Sequence, residues 1–114
     1  MPRAKLEGFD DSLVMLARFA RALSHPARIR ILRLLALRGE LPGMALVAEL
    51  PLSQPTCSRH LNLLLEEGLL RSRQSGNQFF FQLDTAVLRE FCESMSHLLH
   101  PEDRQIVDEL AYVE

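Results

Sequence analysis

Between Ser53 and Gly68 the chain reads S-Q-P-T-C-S-R-H-L-N-L-L-L-E-E-G, a segment bounded by residues that start and stop helices. Ser53 stands where an N-cap belongs, its hydroxyl able to accept an amide hydrogen bond from the first turn. Pro55 falls within that turn, where a missing N–H is no loss. Gly68 follows the last turn, where a left-handed residue ends helices. At about 100° per residue, Cys57, His60, Leu61, Leu63 and Leu64 share a side fit to pack on a core. Gln54, Pro55, Ser58, Arg59 and Asn62 fall opposite, with no acidic group before Glu66. Arg, Gln, Asn and Ser are the side chains that read base edges in a major groove. A solvated helix face has the same look, and the residues after Gly68 separate the two readings.

Past Gly68 the hydropathy period changes from helical to alternating. Leu70, Ser72 and Gln74 alternate with Leu69, Arg71 and Arg73, S-G-N makes a turn, and Q-F-F-F-Q-L (residues 78–83) is strand-like. The spacing predicts a two-stranded hairpin carrying Arg71, Arg73, Gln74, Asn77 and Gln78 near its tip. Upstream, Leu13, Leu16, Phe19, Ala20 and Leu23 recur at helical spacing from Asp11 onward. Ser24 is the expected cap of a second helix, Pro26 to Arg38, with Pro26 in its first turn. Its dense Ile and Leu content implies burial on most sides, with Arg28, Arg30 and Arg33 emerging at the margins. A short third helix fits Gly43 to Leu50 between Pro42 and Pro51, so that it and the Ser53 helix form a helix-turn-helix pair. Asp84 caps a long final helix with an apolar stripe of Val87, Leu88, Phe91, Met95, Leu98 and Leu99, which Pro101 interrupts.

The expected organisation is a loose arm over residues 1–10, a domain over 11–100 and an acidic, partly helical segment over 101–114. A chain of 114 residues suffices for one domain with one core. The net charge of −2 looks wrong for a nucleic-acid binder until it is mapped. From Ser12 to Leu83 nine arginines face four glutamates, a net +5; from Asp84 onward eight acids face two arginines, a net −6. A basic body with an acidic tail-piece is the local footprint that matters. No apolar run approaches the roughly 20 residues that cross a bilayer, and the N-terminus lacks the apolar stretch of a secretory signal. The expected location is therefore the cytoplasm, without membrane contact. There, Cys57 and Cys92 stay thiols.

Three motifs, in order, carry a closer resemblance. L-S-H-P-A-R-I-R-I-L-R-L-L (residues 23–35) resembles the second-helix signature of the ArsR/SmtB-type winged-helix repressors. L-S-Q-P-T-C-S-R-H-L-N-L-L (residues 52–64) is similar to their recognition helix, and E-E-G-L-L-R-S-R-Q-S-G-N-Q-F-F-F-Q-L (residues 66–83) to their wing. Together they span most of residues 12–100. The resemblance implies a mainly α fold with a small β-hairpin wing, a homodimer, and repression through double-stranded operator DNA. It also implies release by a metal ion or an oxidant in many members. Pairing suits the physics, because one small domain offers DNA only about 600–1,000 Å². A two-fold axis sets two recognition helices roughly 34 Å apart, facing successive major grooves. The first and last helices are the candidates for the dimer interface; the alternative is that they simply close the core of one chain, and the resemblance favours pairing.

On this resemblance Gln54, Ser58 and Arg59 lie nearest base edges or flanking phosphates, with Asn62 on the same face. Ser53 and Thr56 meet phosphate. His60 either touches the DNA backbone or is a plain boundary histidine. Arg71, Arg73, Gln74 and Asn77 put the wing on phosphate or in a minor groove.

For an effector, the resemblance implies two places. The family's thiol pair at the start of the third helix is replaced here by Pro42 and Met44. Its site on the last helix is matched in type and spacing by Asp84, His97 and His100, but Ala86 stands at the second ligand position. Thirteen helical residues span about 20 Å, so Asp84 and His97 can share zinc or a similar divalent ion only across two antiparallel helices. Zinc usually takes four ligands; water or a nearby carboxylate would have to supply the fourth. The bland alternative makes Asp84 a helix cap and places both histidines at a helix C-terminus that favours positive charge. Cys57 and Cys92 are the thiol candidates, against the inertness usual for buried cysteines.

An enzyme is not expected: the chain has no Gly-rich phosphate loop, nucleophile elbow or H-E-x-x-H motif. The rival to a DNA-binding regulator is a winged-helix module for protein contact, which should expose apolar anchors along residues 54–62. Leu65 at the edge is the only one in view.

Overall fold

A computed structural model describes residues 8–100. In chain order it comprises α1 (Asp11–Ala22), α2 (Pro26–Arg38), β1 (Leu41–Pro42), α3 (Gly43–Ala48), α4 (Gln54–Glu66), β2 (Leu70–Ser75), β3 (Gln78–Leu83) and α5 (Thr85–Leu99). This is the expected mainly helical fold with a wing. The expectations for residues 1–7 and 101–114 lie outside the described residues.

The α4 helix forms as its ends dictate. Ser53 is the N-cap and accepts from the Thr56 amide, and Pro55 sits in the first turn. Gly68 adopts a φ of +81°, which lets the Leu69 N–H reach back to the Leu64 carbonyl at 3.0 Å. Cys57, His60, Leu61 and Leu64 are the buried face. Cys57, Leu61 and Leu64 join Phe19 and Ala22 of α1, Ile31, Leu34 and Leu35 of α2, Leu46 of α3, and Leu70 and Phe81 of the wing strands in one core.

Three local expectations are corrected. The second helix is capped by His25, not Ser24: the His25 Nδ1 accepts from the Ala27 amide at 3.0 Å. The Ser24 hydroxyl is turned back to the Arg21 carbonyl at 2.7 Å. Arg28 does not emerge at a margin but is buried, because its guanidinium can satisfy carbonyls left open at the end of α1. The third helix ends at Ala48 rather than Leu50.

The sheet has three strands in the order β1-β3-β2, all antiparallel. The hairpin was expected; β1 was not. Leu41 pairs with Phe81 and Pro42 with Phe80, so two residues ahead of α3 tie the helix-turn-helix to the wing. Gly43 makes this possible, since a Cβ there would lie 3.2 Å from a Phe81 ring carbon. At the tip Ser75 pairs with Gln78, and Gly76 supplies the positive φ of a two-residue turn.

α5 contributes no buried residue. It leans on α1, where Phe19 and Phe91 meet edge to face with centroids 4.8 Å apart. Leu13 on α1 and Leu98 and Leu99 on α5 are exposed.

Candidate nucleic-acid interface

With Cys57, Leu61 and Leu64 pinned in the core, the opposite side of α4 is presented outward. Ser53, Gln54, Arg59 and Asn62 are exposed, and Thr56 and Ser58 half-buried. Their side chains hold one another in place. Ser53 Oγ donates to Thr56 Oγ1 at 2.9 Å, Gln54 Nε2 donates to Ser58 Oγ at 3.2 Å, and Arg59 Nη2 donates to Thr56 Oγ1 at 3.3 Å. Such a lattice restricts rotamers before any ligand arrives, which lowers the ordering cost of binding. None of the exposed large apolar residues of the described chain lies on α4. Leu65 is half-buried and packs against the core.

His60 stands apart from this group. The sequence left it between a contact to the DNA backbone and a boundary histidine; the fold buries it, with its Nδ1 2.8 Å from Arg28 Nη1. That contact faces α2, away from the open side of α4. Burial holds its pKa below the ordinary 6.5, helped by the nearby charges of His25, Arg28 and Arg59.

The wing residues divide by strand period. Arg71 and Arg73 are cross-strand neighbours of Gln82 and Phe80, whereas Gln74 pairs with Phe79, so Gln74 is on the other face from the two arginines. Arg71 is exposed. Arg73 is engaged: its Nε and Nη2 donate to the two carboxylate oxygens of Glu40 at 2.8 and 2.7 Å, and its guanidinium carbon lies 4.6 Å from the Phe80 ring centre. The hydrogen bond from Arg73 lowers the Glu40 pKa, against a smaller opposing effect of desolvation. Gln74 Nε2 donates to the Gly76 carbonyl at 3.3 Å, within the turn. One cleft is lined by Gln54 and Ser58 of α4, Asn77 and Gln78 of the wing tip, and Met44 of α3. Residues of α4 and of the wing thus open onto a common surface.

A family described as a helix-turn-helix domain matches residues 23–73. The arsenical resistance operon repressor of Staphylococcus aureus is 33% identical over 81 residues, covering 71% of this chain and 77% of that protein. The chain belongs to the ArsR family of winged-helix transcriptional regulators. An ArsR-like transcriptional regulator from Rhodococcus sp. RHA1 superposes with a TM-score of 0.73 at 26% identity, covering 92% of this chain and 98% of that one. The homodimeric winged helix-turn-helix DNA-binding domain of a possible ArsR-family regulator from Mycobacterium bovis superposes at 0.62, with 26% identity, over 82% and 85% of the two chains. As an ArsR-family protein the chain is a DNA-binding transcriptional regulator.

The residues expected to hold an effector lie mostly on α5. Asp84 Oδ1 accepts from the Val87 amide at 3.2 Å as the helix cap. His97 and His100 belong to the opposite end, and His97 lines a groove with Leu13 and Leu16 of α1 and Glu90 and Glu93 of α5. Within one chain, the described residues contain no group of three or more His, Cys, Asp or Glu placed to hold a metal ion. Ala86 offers no ligand atom. Cys92 is exposed, while Cys57 is fully buried with its thiol directed at the Leu52 carbonyl, 3.8 Å away. No helix among the described residues is long and apolar enough to cross a membrane.

Proposed function

We propose that the protein is a repressor that binds palindromic operator DNA as a homodimer, with α4 of each copy in a major groove. The observation that carries this reading is the two-faced α4: one side is locked in the core, and the other presents Gln54, Ser58 and Arg59 beside the wing tip. Gln54, Ser58 and Arg59 read base edges; Ser53, Thr56 and the exposed Arg71 meet phosphate. Asn77 at the turn extends the contact to the neighbouring groove. Arg73 reaches phosphate only by leaving Glu40.

Pairing through α1 and α5 supports the same reading. The first part of the α5 stripe, Val87, Leu88 and Phe91, packs half-buried against the core, whereas Leu98 and Leu99 at its end, like Leu13 of α1, stay exposed. A second copy covers such a face and spaces two recognition helices by roughly one DNA turn, about 34 Å. The homodimeric M. bovis relative supports this assembly. Any effector then acts at the α5 pair, where Asp84 from one copy and His97 and His100 from the other come within reach of zinc or a similar divalent ion, and where Cys92 lies open to a thiol-reactive signal.

A gel-shift titration against the chain's own upstream DNA, at two salt concentrations, tests the reading. Repressor binding falls steeply as salt rises, because phosphate contacts release counterions. Binding that is absent or indifferent to salt favours a protein-contact module instead. Elemental analysis of the purified dimer, repeated after His97→Ala, tests the metal.

A further inference from the structure

Among the described residues only two polar side chains are buried, Arg28 and His60, and they touch. Arg28 Nε donates to the Ala22 carbonyl at 2.6 Å, and Nη2 to the Arg21 carbonyl at 3.3 Å and to Ser24 Oγ at 3.1 Å. The remaining arm, Nη1, lies 2.8 Å from His60 Nδ1. A guanidinium only donates. His60 Nδ1 must therefore offer a lone pair, which makes the ring neutral with its proton on Nε2. The contact joins the end of α1 and the start of α2 to the middle of the recognition helix.

We propose that His60 is a positioning residue for DNA recognition: its neutral ring latches α4 to Arg28, and protonation of that ring opens the latch and weakens operator binding. The inference rests on the DNA-binding reading above. A proton on Nδ1 removes the acceptor and sets a second cation against the guanidinium. The groups facing the ring are His25 from the α1–α2 turn, Arg28 from α2 and Arg59 from α4 itself, and all three oppose a charge there. The His25 ring lies 4.3 Å from that of His60 and is already committed, its Nδ1 accepting from the Ala27 amide. Arg59 is next to His60 in the chain, so a shift of the ring's backbone moves a base-facing side chain directly. Because His60 is held below its ordinary 6.5, the latch is fully closed above that value and opens as pH falls from there through the lowered one.

The test uses the full chain and a labelled duplex that it enriches from a random pool at pH 7.5. Fluorescence anisotropy then follows affinity from pH 7.5 to pH 5.5 at constant ionic strength. The expected result for the wild type is a loss that grows progressively toward the acid end of the range, as one group with a lowered pKa takes up its proton. His60→Asn carries an acceptor near the Nδ1 position that does not titrate, and its affinity should be flat over the same range. A flat wild-type curve, equal slopes for the two proteins, or wholesale loss of helical circular dichroism at pH 5.5 overturns the proposal. Ring 15N shifts of the wild type at pH 7.5 decide the matter even should the variant fold poorly. An unprotonated Nδ1 with a proton on Nε2 supports the latch, and a protonated Nδ1 refutes it. Failure to enrich any duplex at pH 7.5 counts against the DNA-binding reading, while the ring shifts still judge the latch.

Discussion

Glu40 and Arg73, 33 residues apart in the chain, meet in a two-pronged ion pair that fastens the outer wing strand to the residue preceding β1. The guanidinium also lies over Phe80, so Arg73 braces the sheet from its solvent side. The same geometry takes one of the two wing arginines out of the pool free to meet phosphate. Both partners face solvent, and pairs of this kind add little to stability; their consequence is for binding.

Replacing Glu40 by Gln should therefore tighten DNA binding. The variant loses a negative charge near the wing and frees Arg73, and the slope of log affinity against log salt should steepen by about one. Anisotropy titrations at several salt concentrations measure it. An unchanged slope would mean that Arg73 does not reach phosphate. In the wild type Glu40 is held below its ordinary 4.5, so the pair is intact above that value and is lost as pH falls through the lowered one.

Arg59 and Arg71 should separate base reading from phosphate contact. Arg59→Ala is expected to cost about 1–3 kcal/mol on the preferred duplex and to relax base preference at one position of each half-site. Arg71→Ala should weaken all sequences alike and reduce the salt slope by about one. Binding to a panel of single-base variants of the site distinguishes the two patterns, and identical profiles for both substitutions would contradict the assignment.

How much of this was legible beforehand differs from residue to residue. α4 was readable because its cap, its proline, its stop glycine and its apolar period all agree. The hairpin was readable from Q-F-F-F-Q-L and the S-G-N turn. β1 was not, since a two-residue strand has no period and Pro42 looks like a helix boundary. The burial of Arg28 was hidden because its partners are backbone carbonyls of α1, which leave no side-chain signature. His60 had a signal, its place among Cys57, Leu61 and Leu64 on the core side, which outweighed its likeness to a backbone contact. The Glu40–Arg73 pair could have been suspected only once β1 was known, because β1 is what brings the two near.

Leu98→Glu should convert the protein to a monomer. Leu98 is 55% exposed in the single chain and shares the α1–α5 groove with Leu13, so the change costs the fold little and places a charge where a second copy would pack. Light scattering coupled to size-exclusion chromatography should report one chain rather than two, and affinity for a palindromic duplex should drop to that of a half-site. A dimer that survives Leu98→Glu would move the interface elsewhere.

Asp84 allows its two roles to be pulled apart. As the α5 cap it accepts from Val87, and caps of this kind contribute about 1 kcal/mol. Asn caps nearly as well as Asp, so Asp84→Asn should leave the stability of chelator-treated protein almost unchanged while Asp84→Ala lowers it. Metal ligation depends instead on the carboxylate charge. Zinc added to the wild-type dimer should raise the melting temperature through the shared α5 site, and both substitutions should abolish that increment. An increment that persists in Asp84→Asn places the ion elsewhere, and one that is missing from the wild type leaves Asp84 as a cap alone.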